Sequence, residues 1–169
     1  MKQLEIRHRI TNEVLAKEDA DLRGTDLTHA NLTHADLRNA DLRNASLRDA
    51  DLGDADLRGA NLTHASLKDA DLRDTDLRNA NLTRANLTRA SLTHADLRGT
   101  DLTHASLRDA DLRDADLTNA DLSYADLTYA NLYYWYSEQP KAGSLGRVKE
   151  LSCPISNRTF YHYLKNEIL

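Results

Sequence analysis

The sequence predicts an all-β solenoid, short strands wound into stacked coils around a column of leucine. Three observations carry that expectation. Leucine recurs every five residues from Leu22 to Leu132, 23 times without a slip. Alanine stands two places before each leucine, replaced only by Thr25, Thr75 and Thr100. The residue between them is Asp 14 times, Asn five times and Ser four times, and the two places after leucine stay polar or small, Tyr124 and Tyr129 apart, until Tyr133–Tyr134.

A period of five suits neither regular structure. On a helix, each successive leucine is displaced by about 140°, so no apolar stripe forms. A plain strand has period 2, and five is odd, so successive leucines would face opposite sides. Each unit must therefore bend. Ala and Leu, separated by one polar residue, share a side of a short extended segment, and the next two residues turn the corner. Short strands joined by regular corners, with all apolar residues inside, make a solenoid.

Runs such as Ala35-Asp36-Leu37-Arg38-Asn39 and Ala110-Asp111-Leu112-Arg113-Asp114 resemble the A(D/N)LXX motif of the pentapeptide-repeat family. The resemblance covers residues 20–134. It implies a right-handed quadrilateral parallel β-helix with four units per coil, leucine and alanine pointing inward. Chain chemistry alone leaves three, four or five sides open. With four, the 23 units make nearly six coils, a body about 27 Å tall at the usual interstrand spacing. A core of Leu and Ala, with three Thr hydroxyls, leaves no room for a buried active site.

Solenoid ends expose unpaired backbone and bare leucine, so caps are expected at both. Residues 1–19 form the first. Leu4 to Ile10 partly alternates apolar and polar, Thr11-Asn12 is a turn candidate, and Glu13-Val14-Leu15 returns as a second strand. Residues 135–169 form the second. Glu138 to Ser144 reads as a loop, and Ser156 or Asn157 caps a short helix over Arg158–Glu167. Phe160, Tyr161, Leu164 and Ile168 give that helix an apolar stripe. Two readings stand for this end. The tail folds back over the last coil, or an aromatic collar of Tyr124, Tyr129, Tyr134, Trp135, Phe160, Tyr161 and Leu164 joins two copies end to end as a homodimer. The family resemblance allows the second.

Composition fits a soluble cytoplasmic protein. The net charge is −5. No charged-then-apolar start suggests a signal peptide, and no apolar run approaches a membrane span. The single Cys153 excludes an internal disulfide and offers no zinc pattern. No nucleophile–base pairing and no phosphate loop is found. The expectation is therefore no enzyme and no cofactor.

A 20-residue register sorts the surface. One wall carries Arg38, Arg58, Arg78 and Arg98 beside Asp36, Asp56, Asp76, Asp96 and Asp116, so each Arg should sit between carboxylates of its own and neighbouring coils. An acidic ridge runs along two corners, with Asp49, Asp69 and Asp109 in one column and Asp54, Asp74 and Asp114 in the next. Arg89 breaks the first column and His94 the second. Calcium needs six or more converging oxygens, which such a ridge does not supply. His64 and His104 share a column with Arg84 between them, too far apart for a metal site.

The function expected is a non-enzymatic structural or protein-interaction solenoid without direct nucleic-acid binding. The alternative is a DNA-mimicking regulator of gyrase, a role the resemblance implies for some members and the acidic ridge keeps open.

Overall fold

Five residues suffice to close one corner and one rung, as the unit Ala55–Gly59 illustrates. Ala55 N–H donates to the Leu52 carbonyl at 3.0 Å, closing a turn across the preceding corner. Asp56 N–H donates back one coil to the Ala35 carbonyl, and Leu57 N–H donates forward to the Asp76 carbonyl. Gly59 N–H reaches the Arg78 carbonyl of the next coil at 3.0 Å. The fifth donor, Arg58 N–H, bonds the Asp56 side chain at 3.2 Å. Every N–H of the unit is thus satisfied, as a wall facing water on one side and leucine on the other requires.

That last bond explains the residue before leucine. Asp and Asn side chains accept from the backbone two residues on, mimicking a turn. Asp26, Asn31, Asp41, Asn61 and Asp101 do the same to Thr28, Thr33, Arg43, Thr63 and Thr103. The position is a structural acceptor before it is a charge.

The computed structural model describes residues 6–7, 14–16 and 22–132. Parallel bridges join the residue before each leucine to the one 20 places on, from Asp26↔Ser46 to Asp111↔Asn131. Four units therefore make one coil, which settles the number of sides that the repeat period leaves open. The fold is a pentapeptide β-helix solenoid with its core along the axis. Leu32 to Leu127 and the alanines from Ala35 to Ala130 are essentially sealed from solvent, while Leu27, Ala30 and Leu132 towards the two ends are only partly buried. The buried Thr75 and Thr100 hydroxyls donate to the Leu52 and Leu77 carbonyls of the preceding coil at 3.0 and 2.9 Å. These two polar groups cost the core no unmet hydrogen bond.

Each corner turns on a residue with positive φ, from Gly24 to Tyr129, at +54° to +68°. A type II turn requires this of its third residue, and Gly, Asn, Asp and His tolerate it best. Those four types fill all but Arg84, Arg89, Tyr124 and Tyr129. Gly59 answers a second demand as well, because a Cβ there would lie 2.5 Å from the Asn39 side-chain oxygen.

Near the N-terminus, β1 (Ile6–Arg7) pairs antiparallel with β2 (Val14–Ala16) through Ile6↔Ala16 and Arg7↔Val14. This is the expected hairpin, with its second strand ending one residue later than the sequence suggests. The Thr11-Asn12 turn and everything after residue 132, including the expected Arg158–Glu167 helix, lie outside the described residues. Among the described residues there is no helix.

Candidate interaction surface

Three of every five side chains point outward, so the walls and corners hold the exposed chemistry. On the Arg–Asp wall, each guanidinium clamps the carboxylate two residues earlier. Nη2–Oδ2 distances are 2.5 Å for Arg38–Asp36 and 2.6 Å for Arg58–Asp56, Arg78–Asp76 and Arg98–Asp96. Each Nε also faces the carboxylate of the next coil, Asp56, Asp76, Asp96 and Asp116 in turn, at 3.4 to 3.6 Å. The expected lattice is there. Hydrogen bonds from Arg38, Arg58 and Arg78 hold the Asp36, Asp56 and Asp76 carboxyls below their usual range. At Asp96, burial is the largest influence and pushes upward, but Arg98 outweighs it.

The acidic corners are less uniform. Asp49, Asp54, Asp69, Asp74, Asp109 and Asp114 all occupy positive-φ corner positions, so the backbone itself favours Asp there. Arg89 holds Asp69 through two hydrogen bonds of 2.6 and 2.8 Å. His34 and His94 stand 3.8 and 3.9 Å from Asp54 and Asp114. The ridge is therefore a broken line of charge with partial internal neutralisation.

Tyr124 and Tyr129 occupy successive corners of the last described coil, 46% and 62% exposed. Tyr124 stacks on His104 one coil earlier, with centroids 4.8 Å apart and planes 12° from parallel. The same 20-residue offset would have revealed this pair in the sequence. Tyr134, Trp135, Phe160, Tyr161 and Leu164 fall outside the described residues. His64 and His104 share their column with Arg84 between them, and among the described residues no cluster could hold a metal ion.

A further wall went unremarked in the sequence. Between the corner columns of Arg84 and Arg89, the residues before leucine include Ser46, Ser66 and Ser106, and those after it Arg48, Lys68 and Arg108. Here the basic residues lack the clamping Asp of their own unit.

Comparison with known proteins follows the repeat. The family model for pentapeptide repeats matches residues 18–44, 40–79, 65–103 and 100–133, with eight copies. No curated protein matches the sequence. Among solved structures, a pentapeptide repeat protein of the Arabidopsis thaliana thylakoid lumen is 31% identical, covering 63% of this chain and 71% of its own, with a TM-score of 0.49. HetL, involved in heterocyst differentiation regulation in the cyanobacterium Nostoc, is 31% identical over 66% of this chain and 70% of its own, with a TM-score of 0.36. QnrB1, a plasmid-mediated fluoroquinolone resistance protein, is 20% identical over 97% of this chain and 76% of its own, with a TM-score of 0.43. At those scores the likenesses carry no argument about function.

Proposed function

The chain belongs to the pentapeptide-repeat family, and from that premise we propose that it is a non-enzymatic scaffold that presents its outer walls to a protein partner. One observation carries the reading. The interior is taken up by leucine and alanine, and the reactive side chains face solvent on flat walls and corners. The same proposal reads the coil as right-handed, the β1–β2 hairpin and C-terminal tail as caps, and the location as cytoplasmic. It requires no cofactor, and it assigns the Tyr124 end to pairing with a second copy.

The test is capture of a partner from the source cell by the purified chain. A defined partner should be recovered from wild type and lost on reversing the charge of one wall. Recovery unaffected by reversal of any wall would contradict the scaffold reading.

The acidic corners favour a second reading, a DNA-mimicking regulator of gyrase. Such a mimic needs negative charge over a length comparable with the enzyme's groove, and a monomer is only about 27 Å tall. Arg89 also neutralises Asp69 midway along one corner. The expected result is therefore weak or no inhibition of supercoiling by wild type. Inhibition gained by Arg84→Asp with Arg89→Asp would show a competent but unspecialised scaffold. Strong inhibition by the unmodified chain at micromolar concentration, abolished by Asp54→Asn, Asp74→Asn and Asp114→Asn, would replace the scaffold reading with this one.

A further inference from the structure

On three walls, arginine directly after leucine is locked to an aspartate two residues earlier. Arg38, Arg43, Arg58, Arg73, Arg78, Arg98 and Arg113 all make this clamp, with Nη2–Oδ2 distances of 2.5 to 2.6 Å. The fourth wall breaks the rule. Arg48, Lys68 and Arg108 follow Ser46, Ser66 and Ser106, so no carboxylate of their own unit precedes them. Lys68 meets Asp69 only at 4.0 Å, and Arg108 meets Asp126 only at 4.0 Å. Arg48 makes none of the ion pairs found among the described residues, though its charge is felt at Asp69. On the adjoining corner, exposed Arg84 likewise makes no ion pair among the described residues and stands between His64 and His104.

Cations left unclamped keep their hydrogen-bonding capacity for an incoming anion. The serines beside them add no negative charge, and the Ser46 and Ser106 hydroxyls share hydrogen bonds with the Thr28 and Thr88 hydroxyls at 2.8 and 3.2 Å. Building on the scaffold reading, we propose that this wall is the docking surface for an acidic segment of a protein partner, whose carboxylates pair with Arg48, Lys68, Arg84 and Arg108.

Charge and extent select a protein segment over a nucleic acid. Three coil steps separate Arg48 from Arg108, about 14 Å at the usual interstrand spacing. A duplex carries one charge per about 1.7 Å and would press its excess against Asp49, Asp69 and Asp109 on the corner that directly follows Arg48, Lys68 and Arg108. A short segment with a few carboxylates matches four cations and can end before that corner.

The test installs the missing clamp. A fluorescein-labelled oligoglutamate peptide is titrated with the full chain at low and physiological salt, alongside a single-stranded oligonucleotide of equal charge. Wild type should bind the peptide, and more weakly as salt rises. Ser66→Asp with Ser106→Asp should weaken binding about tenfold while keeping the fold, and Lys68→Gln with Arg108→Gln should reproduce the loss. Arg58→Gln with Arg78→Gln, on a clamped wall, should leave binding unchanged. No peptide binding, equal loss from the clamped wall, or preference for the oligonucleotide would each overturn the assignment. The scaffold reading would survive any of these, since partner capture tests it independently of this wall.

Discussion

Leu77→Ala should destabilise the protein by about 2–5 kcal/mol, whereas Leu77→Met should cost less than about 1.5 kcal/mol. Leu77 is 1% exposed, stacked between Leu57 and Leu97 of the neighbouring coils, both fully buried. The cost of truncation depends on how far the surroundings can collapse into the space. Here they can collapse little, because the coil spacing is held by backbone bonds such as Leu57 N–H to Asp76 and Leu77 N–H to Asp96, both 2.8 Å. The alanine variant should therefore fall toward the upper part of the range. Methionine nearly conserves volume and bends to fit. Chemical denaturation reads both values. Equal tolerance of the two substitutions would contradict a tightly packed, inward Leu77.

Arg58→Glu combined with Arg78→Glu should lower the melting temperature strongly at low salt, with partial recovery near 1 M, where the Debye length is about 3 Å. The change leaves the Asp36–Asp116 column with only Arg38 and Arg98, and adds two more carboxylates at steps of about 4.8 Å. The turn-closing bonds from the backbone N–H of residues 58 and 78 to Asp56 and Asp76 do not depend on the arginine side chains. The effect therefore isolates charge. Single exposed pairs are weak; the expectation rests on their repetition up the wall.

Acid gives a second reading of the same lattice. Because the Asp36, Asp56 and Asp76 carboxyls are depressed by their arginines, their contribution is complete above the ordinary value of about 3.9. It is lost as the pH falls through the depressed values. The wild type should lose stability on acidification, while protonation should relieve repulsion in the double variant, so the gap between them narrows. A melting temperature of the variant equal to wild type at every salt concentration would remove the lattice as a stabilising element.

Much of the surface was readable once the 20-residue register was assumed. The Arg58–Asp56 clamp joins neighbours in the chain, and the Arg58–Asp76 contact follows from one coil's offset. The acidic corners are legible in the sequence only as charge. Their positive φ adds a conformational reason for Asp that no charge argument supplies. The unclamped wall was missed for a related reason. Ser66 and Asp56 look interchangeable in the repeat, and only the clamp on neighbouring walls shows what serine leaves undone.

From the sequence alone came the inward stripe and the bend in every unit, since an odd period cannot keep leucine on one side of a straight strand. It also placed the polar residues outside, apart from the core positions taken by Thr25, Thr75 and Thr100. The number of sides was not in it. A bend per unit is compatible with several polygons, and the choice depends on how sharply each corner turns and whether the chain returns beneath itself. The positive-φ corner residue and the turn bond to the preceding leucine carbonyl set that angle. The backbone ladder then rewards only a return that brings residue 56 beside residue 76. Closure is a property of the whole coil, and the coil alone decided which side chains became neighbours.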